Sequence, residues 1–323
     1  MVDVYFYEVF EEEAKALKRL LPPSISYELT SATIQEAGHS HPPARLISIR
    51  TQSIIPQEWA SALDGILSRS TGYDHLILYQ AQVDLPPACG YLEEYATRAV
   101  AEQAILLMMA LFRKLPQQLK QFAAFERDGL TGLECAGKRL LVVGVGRIGS
   151  EIARIGLALG MEVKGVDIVQ KHTFLPYVER DEGIRWADVI ICAMNLTDEN
   201  RGYFSYKLLK QAKTGVLFIN IARGEHAPLH DLLQLLEEHH LGGVGLDVFE
   251  DEPLLASSLR SAAINVPESL RHLKALMKFP NVLLTPHNAF NTVEAVERKA
   301  RYTVQQILHF LEHKKFLWQL PEP

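Results

Sequence analysis

The 323-residue sequence is poor in cysteine and has neither a long apolar run nor a block of basic residues. Its three cysteines, Cys89, Cys135 and Cys192, are far apart, which excludes a disulfide framework and a thiolate metal site. The most apolar stretch, residues 104–112, is too short to cross a bilayer. We therefore expect a cytoplasmic protein without a membrane partner.

Charge and histidine placement exclude two further classes of ligand. The net charge is −6 and no basic run exceeds two residues, so a nucleic-acid partner is not expected. The pairs His39/His41 and His239/His240 have no cysteine or carboxylate at ligand spacing. We expect these histidines at the surface and predict no metal site.

What the sequence does contain is a glycine-rich turn near its middle, built on Gly144, Gly146 and Gly149. The first glycine suits a tight turn, the second allows backbone to approach a pyrophosphate, and the third allows a helix to pack on a strand. Arg147 and Ile148 complete the turn, and the free N–H groups of the helix that follows favour an anion. Alone, the pattern also suits any tight strand-to-helix turn.

The context of the turn makes the stronger case. The apolar run 138–143 precedes it, a helical pattern follows at 150–159, and a second apolar run, 163–166, ends at Asp167. Strand, turn, helix, strand and acid together form the dinucleotide-binding signature, in which the acid accepts hydrogen bonds from a ribose. The sequence therefore predicts a bound dinucleotide, with Asp167 favouring NAD over NADP by repelling a 2′-phosphate, a preference that Lys171 softens.

Alternating strand and helix patterns run along the rest of the chain. The first hundred residues predict a small parallel α/β domain, and the series from Lys138 predicts a doubly wound parallel (Rossmann) sheet. The predicted strands are 2–7, 46–49, 138–143, 163–166, 187–193, 216–221, 243–248 and 281–284, and residues 65–68 are a further candidate element. The predicted helices are 11–21, 56–63, 96–115, 150–159, 206–212 and 229–239.

Two helical patterns are expected to connect the domains. Residues 96–115 are apolar on most faces, which predicts a helix buried between domains or subunits and ended by Pro116. A final amphipathic pattern after His287 is expected to cross back to the first domain.

Three downstream segments each place a polar side chain after a predicted strand: Arg223, Glu252 and His287. Individually an arginine at a strand end, an acidic loop or a single histidine is commonly structural. Together they suit carbonyl reduction by a nicotinamide, in which His287 gives the proton. Glu252 would favour the imidazolium, and Arg223 would hold a substrate carboxylate.

This combination resembles the D-isomer-specific 2-hydroxyacid dehydrogenase family over nearly the whole chain. The segments 196–202, 95–102, 49–51 and 70–74 resemble its nucleotide loop, interdomain entry and substrate loops. Besides the glycine turn with Arg147, Ile148 and Asp167, the resemblance implies cofactor contacts at Asn195, Thr197, Ala222 and Asp247, the last at the nicotinamide. It implies substrate contacts at Arg50, Thr71, Gly72, Tyr73 and Tyr95.

The resemblance also implies the domain plan and the assembly. A flavodoxin-like substrate domain would comprise residues 1–97 and 289–323, an NAD-binding domain residues 98–288, with a cleft between them and a homodimer built partly on the helix after residue 97. The Ala289-Phe290 pair and Tyr95 are closest to the D-lactate dehydrogenase branch. The short, proline-rich segment 74–91 departs from the family pattern, and Cys89 and Arg98 receive no role.

The resemblance therefore implies NAD-dependent interconversion of a 2-keto acid and a D-2-hydroxy acid. One alternative is a binding protein of another class, because corepressors that respond to NADH resemble this family. A second alternative is a glyoxylate or hydroxypyruvate reductase, which only substrate kinetics would separate.

Overall fold

A computed structural model of the protein describes residues 2–261 and 268–320. The chain divides into two compact units, Met1–Ala96 with Asn291–Pro323, and Thr97–Phe290. Each unit is built on one parallel β-sheet. In the described part of the chain, no helix combines the length and the hydropathy needed to span a membrane.

The first unit contains a five-stranded sheet. Its strands are β1 (Val4–Phe6), β2 (Tyr27–Leu29), β3 (Leu46–Ile49), β4 (Gly65–Ser68) and β5 (Ala88–Gly90), and they lie in the order β2-β1-β3-β4-β5. This is the flavodoxin-like order, which confirms the predicted fold class. The central strands β3 and β4 are fully buried, as expected of a parallel sheet covered on both faces.

Short helices connect these strands: α1 (Glu11–Leu20), α2 (Ile34–Ala37) and α3 (Asp74–Gln80). The helix predicted over 56–63 is a 3₁₀ turn, Gln57–Ala62, that follows Pro56. The segment 74–91 forms α3 and β5 despite its prolines. The sequence pattern missed β2 and β5 because each strand has only three residues, too few for a periodic signal.

The second unit is a six-stranded doubly wound sheet, as predicted, and its strands lie in the order β11-β10-β9-β8-β6-β7. Its elements are α4 (Thr97–Phe112), α5 (Leu115–Gln121), β6 (Arg139–Val143), α6 (Arg147–Ala158), β7 (Glu162–Val166), α7 (Arg180–Trp186), β8 (Val189–Cys192), α8 (Tyr206–Leu209), β9 (Val216–Asn220), α9 (Leu229–Glu237), β10 (Leu241–Leu246), α10 (Glu252–Ser261), α11 (Glu268–Leu276) and β11 (Val282–Leu284). The strand order reverses at β6, between β7 and β8, and ligands bind beyond the carboxyl ends of the strands at such a point.

Helix α4 is shorter than predicted, and the expectation that Pro116 ends it is wrong. The helix stops at Phe112, and Lys114 takes a left-handed conformation (φ 51°) that turns the chain. Pro116 instead lies in the first turn of α5, where its missing N–H leaves no hydrogen bond unmade. Within its unit, α4 packs against α6 and against β9 and β10.

The last helix, α12 (Val293–His313), belongs to the first unit and packs against α1. The contact encloses a buried ionic cluster that the apolar pattern did not predict. The Glu13 carboxylate lies 2.9 Å from Arg69 Nε and 2.8 Å from Lys299 Nζ, and all three side chains are fully buried. Burial opposes ionisation, but Arg69 and Lys299 outweigh it and lower the pKa of Glu13 to about 2.

Replacing Glu13 with Gln is expected to lower the free energy of unfolding at pH 7 by about 3–5 kcal/mol, because two buried cations lose their counter-ion. Because the folded-state pKa of Glu13 is depressed, its stabilisation is present above the ordinary value of 4.5 and is lost as the pH falls toward 2. The difference in free energy of unfolding between wild type and Glu13→Gln, measured by urea denaturation, should therefore become smaller below pH 4.5. Glu11→Gln removes an exposed ion pair on the same helix and serves as the control, with no measurable change expected. Equal stability of Glu13→Gln and wild type would contradict the assignment.

Candidate active site

The glycine turn between β6 and α6 has the shape of a phosphate cradle. Gly144 is left-handed (φ +89°), and an added Cβ there would lie 2.6 Å from Met194 N. A Cβ on Gly149 would lie 1.9 Å from the Gly144 carbonyl oxygen, so the helix packs too closely for any side chain. Gly146 faces open space, and α6 begins without a side-chain cap. The turn therefore leaves room and backbone donors for a pyrophosphate.

Asp167 lies at the end of β7, beside this turn. Its carboxylate accepts hydrogen bonds from Val145 N at 2.6 Å and from Val169 N at 2.9 Å. The acid is thus fixed against the glycine turn by backbone donors, a placement that suits a ribose. The loop after β8 adjoins the same turn through Met194, and it carries the exposed residues Asn195 and Thr197.

The loop after β9 places Arg223 at the carboxyl end of the sheet. Asn220, the last residue of β9, accepts from Ala222 N at 3.0 Å and donates to the Arg223 carbonyl at 2.8 Å, which fixes the turn. A Cβ on Gly224 would lie 1.8 Å from the Phe249 carbonyl carbon, so this loop presses on the loop after β10. The signals in the sequence that could have predicted this turn are Asn220 before Arg223 and Gly224 after it.

His287 and Glu252 form a pair in the same unit. His287 Nδ1 lies 2.7 Å from Glu252 Oε1, and both side chains are mostly buried. His287 has a left-handed backbone (φ 50°), a conformation that is uncommon outside glycine and is often found at functional sites. The expectation that Glu252 lies in an acidic loop is wrong, because Glu252 is the first residue of α10.

Asp247 organises the loop that carries His287. It is fully buried just after β10, and its carboxylate accepts from Thr285 Oγ1 at 2.5 Å, Asn288 N at 2.9 Å and Ala289 N at 2.8 Å. Burial raises the pKa of Asp247, while these donors act in the opposite direction. The carboxylate therefore holds the chain on both sides of His287, through the Thr285 side chain before it and the backbone of Asn288 and Ala289 after it.

The residues assigned to substrate lie in the first unit, at the carboxyl ends of its strands. Arg50 follows β3, while Thr71, Gly72 and Tyr73 follow β4. Ser70 Oγ donates to the Gly72 carbonyl at 2.7 Å, and the ring of Tyr73 lies 4.8 Å from that of Tyr91. Tyr95 is buried, and its carbonyl accepts from Arg298 Nε at 2.8 Å.

The remaining predicted residues lie as follows. Ala222 is buried at the end of β9, whereas Arg147 is exposed and Ile148 half-buried at the start of α6. The expectation of a surface position is wrong for His240, which is buried with Nε2 3.0 Å from the Leu209 carbonyl, and for the half-buried His39, whose Nδ1 lies 2.7 Å from Tyr7 Oη. Across residues 2–261 and 268–320, no three ligand-type side chains form a metal cluster.

Comparison with known proteins agrees with this geometry. Residues 105–289 match the family model described as "D-isomer specific 2-hydroxyacid dehydrogenase, NAD binding domain". The chain is 30% identical to 2-hydroxyacid dehydrogenase A of Aspergillus oryzae over 88% of this chain and 83% of that protein. It is 32% identical to the D-lactate dehydrogenase of Escherichia coli over 66% of each chain.

A solved structure extends the similarity to the whole chain. D-lactate dehydrogenase from Aquifex aeolicus, complexed with NAD and lactic acid, superposes with a TM-score of 0.85 at 26% identity and covers 98% of this chain and 99% of its own. The fold and the site thus define an NAD-dependent oxidoreductase. The chain belongs to the D-isomer specific 2-hydroxyacid dehydrogenase family, as the sequence analysis predicted.

The position of Asp167 predicts the choice between the two nicotinamide cofactors. We expect kcat/KM to be at least about tenfold higher with NADH than with NADPH, because a carboxylate repels a 2′-phosphate. Asp167→Asn removes the charge but keeps an acceptor for Val145 N, so it should narrow the ratio without collapsing the turn. Steady-state kinetics with both cofactors measures the ratio, and a wild-type preference for NADPH would contradict the role of Asp167.

Proposed function

We propose that the protein reduces a 2-keto acid to the D-2-hydroxy acid with NADH and catalyses the reverse oxidation, with His287, Glu252 and Arg223 as its catalytic residues. The observation that carries the proposal is the 2.7 Å contact between His287 Nδ1 and Glu252 Oε1 in the unit that holds the glycine cradle. A histidine oriented by a carboxylate is the standard arrangement for moving a proton near neutral pH.

The proton comes from His287. Since Nδ1 is engaged by Glu252, we assign Nε2 as the atom that gives a proton to the substrate carbonyl oxygen during reduction. Bound NADH supplies the hydride to the carbonyl carbon. In the reverse direction the neutral imidazole accepts the hydroxyl proton, and the Glu252 carboxylate stabilises the resulting imidazolium.

Arg223 holds the substrate carboxylate. Its Nη1 donates to the Ala222 carbonyl at 2.8 Å, which orients the guanidinium. The fork geometry of arginine suits a carboxylate and stabilises negative charge that develops on the carbonyl oxygen. From the family resemblance we also assign the backbone N–H groups of Gly72 and Tyr73 to the substrate carboxylate, and Thr71, Arg50 and Tyr95 to the rest of the substrate.

Cofactor contacts follow from the cradle. We assign Gly144, Gly146, Arg147, Ile148 and Gly149 to the pyrophosphate and Asp167 to the adenosine ribose. We also assign Asn195, Thr197 and Ala222 to the cofactor, because they lie in loops at the same edge of the sheet. We propose a different role for Asp247, because a fully buried carboxylate with three donors positions the His287 loop rather than contacting the nicotinamide.

The domain roles, the assembly and the compartment complete the proposal. We assign the substrate to the first unit and NAD to the second. The second unit exposes large apolar side chains on α4 and after it, namely Leu106, Met109, Leu119, Phe122 and Phe125. Such a patch supports a homodimer built on this region. The three free cysteines support a reducing compartment, the cytoplasm.

Replacing His287 with Ala should lower kcat by about 10²–10⁴-fold, the range for a lost general acid, while NADH affinity stays near wild type. The measurement is NADH oxidation with 2-keto acids from glyoxylate to phenylpyruvate, alongside NADH titration by fluorescence. The exposed His230→Ala is the control. Near-native turnover of His287→Ala would remove His287 as proton donor. Tight NADH binding by wild type without turnover of any keto acid would favour a nucleotide-sensing role instead.

Replacing Glu252 with Gln should move the pH profile of kcat/KM for reduction toward acid, because the imidazolium loses its anionic partner while the hydrogen bond remains possible. The neighbouring Asp251→Asn removes the same charge from an exposed position and tolerates the left-handed backbone there, so it is the matched control. An identical profile for wild type and Glu252→Gln would exclude Glu252 from this role.

A further inference from the structure

A chain of hydrogen bonds runs through the side chains at the carboxyl end of β4. Ser70 Oγ lies 2.7 Å from the Gly72 carbonyl oxygen and 2.6 Å from Ser68 Oγ. Ser68 Oγ lies 3.0 Å from His75 Nε2. Both serines are buried, whereas His75 is half-buried in the first turn of α3. We call Ser68, Ser70 and His75 the Ser-Ser-His chain.

The direction of each hydrogen bond in the Ser-Ser-His chain follows from the number of hydrogens available. A carbonyl oxygen only accepts, so the single hydroxyl hydrogen of Ser70 goes to Gly72. Ser70 Oγ therefore accepts from Ser68, which uses the single hydroxyl hydrogen of Ser68. Ser68 Oγ accepts in turn from His75, so His75 Nε2 carries a hydrogen. The chain thus begins at the imidazole and ends on the Gly72 carbonyl.

The last bond of the chain fixes the orientation of one peptide group. The peptide bond between Gly72 and Tyr73 is planar and trans, so the Gly72 carbonyl and the Tyr73 N–H point in opposite directions. Because Ser70 holds the carbonyl, the Tyr73 N–H points away from the buried hydroxyl groups. This N–H is one of the two that we have assigned to the substrate carboxylate.

The loop around this peptide group is held independently by the segment after β5. The Ser70 carbonyl accepts a hydrogen bond from Leu92 N at 3.1 Å. The ring of Tyr73 lies 4.8 Å from the ring of Tyr91. Both ends of the loop 70–73 are therefore held without the Ser70 hydroxyl. Loss of that hydroxyl should release the peptide group and leave the loop attached.

We propose that Ser68, Ser70 and His75 are positioning residues for the substrate carboxylate. Their chain holds the peptide group between Gly72 and Tyr73 in the orientation that offers an N–H to the carboxylate. The reversed peptide would present its carbonyl oxygen instead, and an ionised carboxylate only accepts hydrogen bonds. The inference rests on the proposed function, because it explains how one of the assigned substrate contacts is kept in place.

The test replaces Ser70 with Ala and measures steady-state kinetics with NADH and 2-keto acids from glyoxylate to phenylpyruvate. For the acid that wild type reduces best, we expect KM to rise about tenfold, the contribution of one hydrogen bond to a charged group. The affinity for NADH should stay at the wild-type value. In the reverse reaction KM for the corresponding D-2-hydroxy acid should rise by a similar factor, because this acid carries the same carboxylate.

Ser48→Ala is the matched control for Ser70→Ala. Ser48 is a buried serine of the same sheet that donates to the Leu67 carbonyl at 3.1 Å and accepts from Arg69 Nη1 at 3.0 Å. Each variant thus loses one donated and one accepted hydrogen bond inside the protein. The free energy of unfolding, measured by urea denaturation, should fall in both variants, but KM should rise only in Ser70→Ala.

Two variants of His75 test the start of the chain. His75→Leu removes the donor to Ser68 and should raise KM a few-fold, less than Ser70→Ala, because the bond to Gly72 remains possible. His75→Gln keeps an N–H donor at the end of its side chain and should bring KM back toward the wild-type value. A change in packing alone would give the same KM in both variants.

The outcomes separate this inference from the proposed function. Equal KM values for Ser70→Ala and Ser48→Ala, with wild type active, would overturn the positioning role and leave keto-acid reduction standing. A wild type that reduces no 2-keto acid would overturn both. If Ser70→Ala does not fold, the His75 variants decide, and equal KM values for His75→Leu and His75→Gln would overturn the inference.

Discussion

Parallel strand pairing is the constraint on which the site depends. Because β6 to β11 all run in one direction, the loops that follow them meet at one edge of the sheet. The glycine turn, Asp167, Arg223 and His287 lie far apart in sequence, yet all follow carboxyl ends of these strands. The sheet thus brings side chains that are spread over more than half of the second unit's sequence to one edge, where they can form a site.

Close backbone contact then refines that edge. The loops after β6 and β8 touch at Gly144, and the loops after β9 and β10 touch at Gly224. At both places a side chain would collide with backbone atoms, which cannot move aside as the end of a flexible side chain can. Glycine is therefore required there by its neighbours in space.

Buried carboxylates do the rest of the positioning. Asp247 clamps the loop around His287, Glu8 holds the loop after β3, and Glu13 joins α1 to α12 through Lys299. Each carboxylate is costly to bury alone and is stable only with its donors in place. A buried carboxylate restricts a loop more strictly than apolar packing does, because the loss of one hydrogen-bond donor leaves part of a buried charge without a partner.

The sequence by itself determined the fold class, the family, the cofactor and most strands, because apolar periodicity and the glycine turn are local signals. It misjudged Pro116, which suits the first turn of a helix as well as the end of one, and it placed Glu252 in a loop rather than at the start of α10. The partners of Asp247, the burial of Lys299 and the left-handed backbone of His287 were decided only by tertiary structure. These features depend on contacts between residues distant in the chain, and no local pattern records which distant group will supply a donor or a counter-charge.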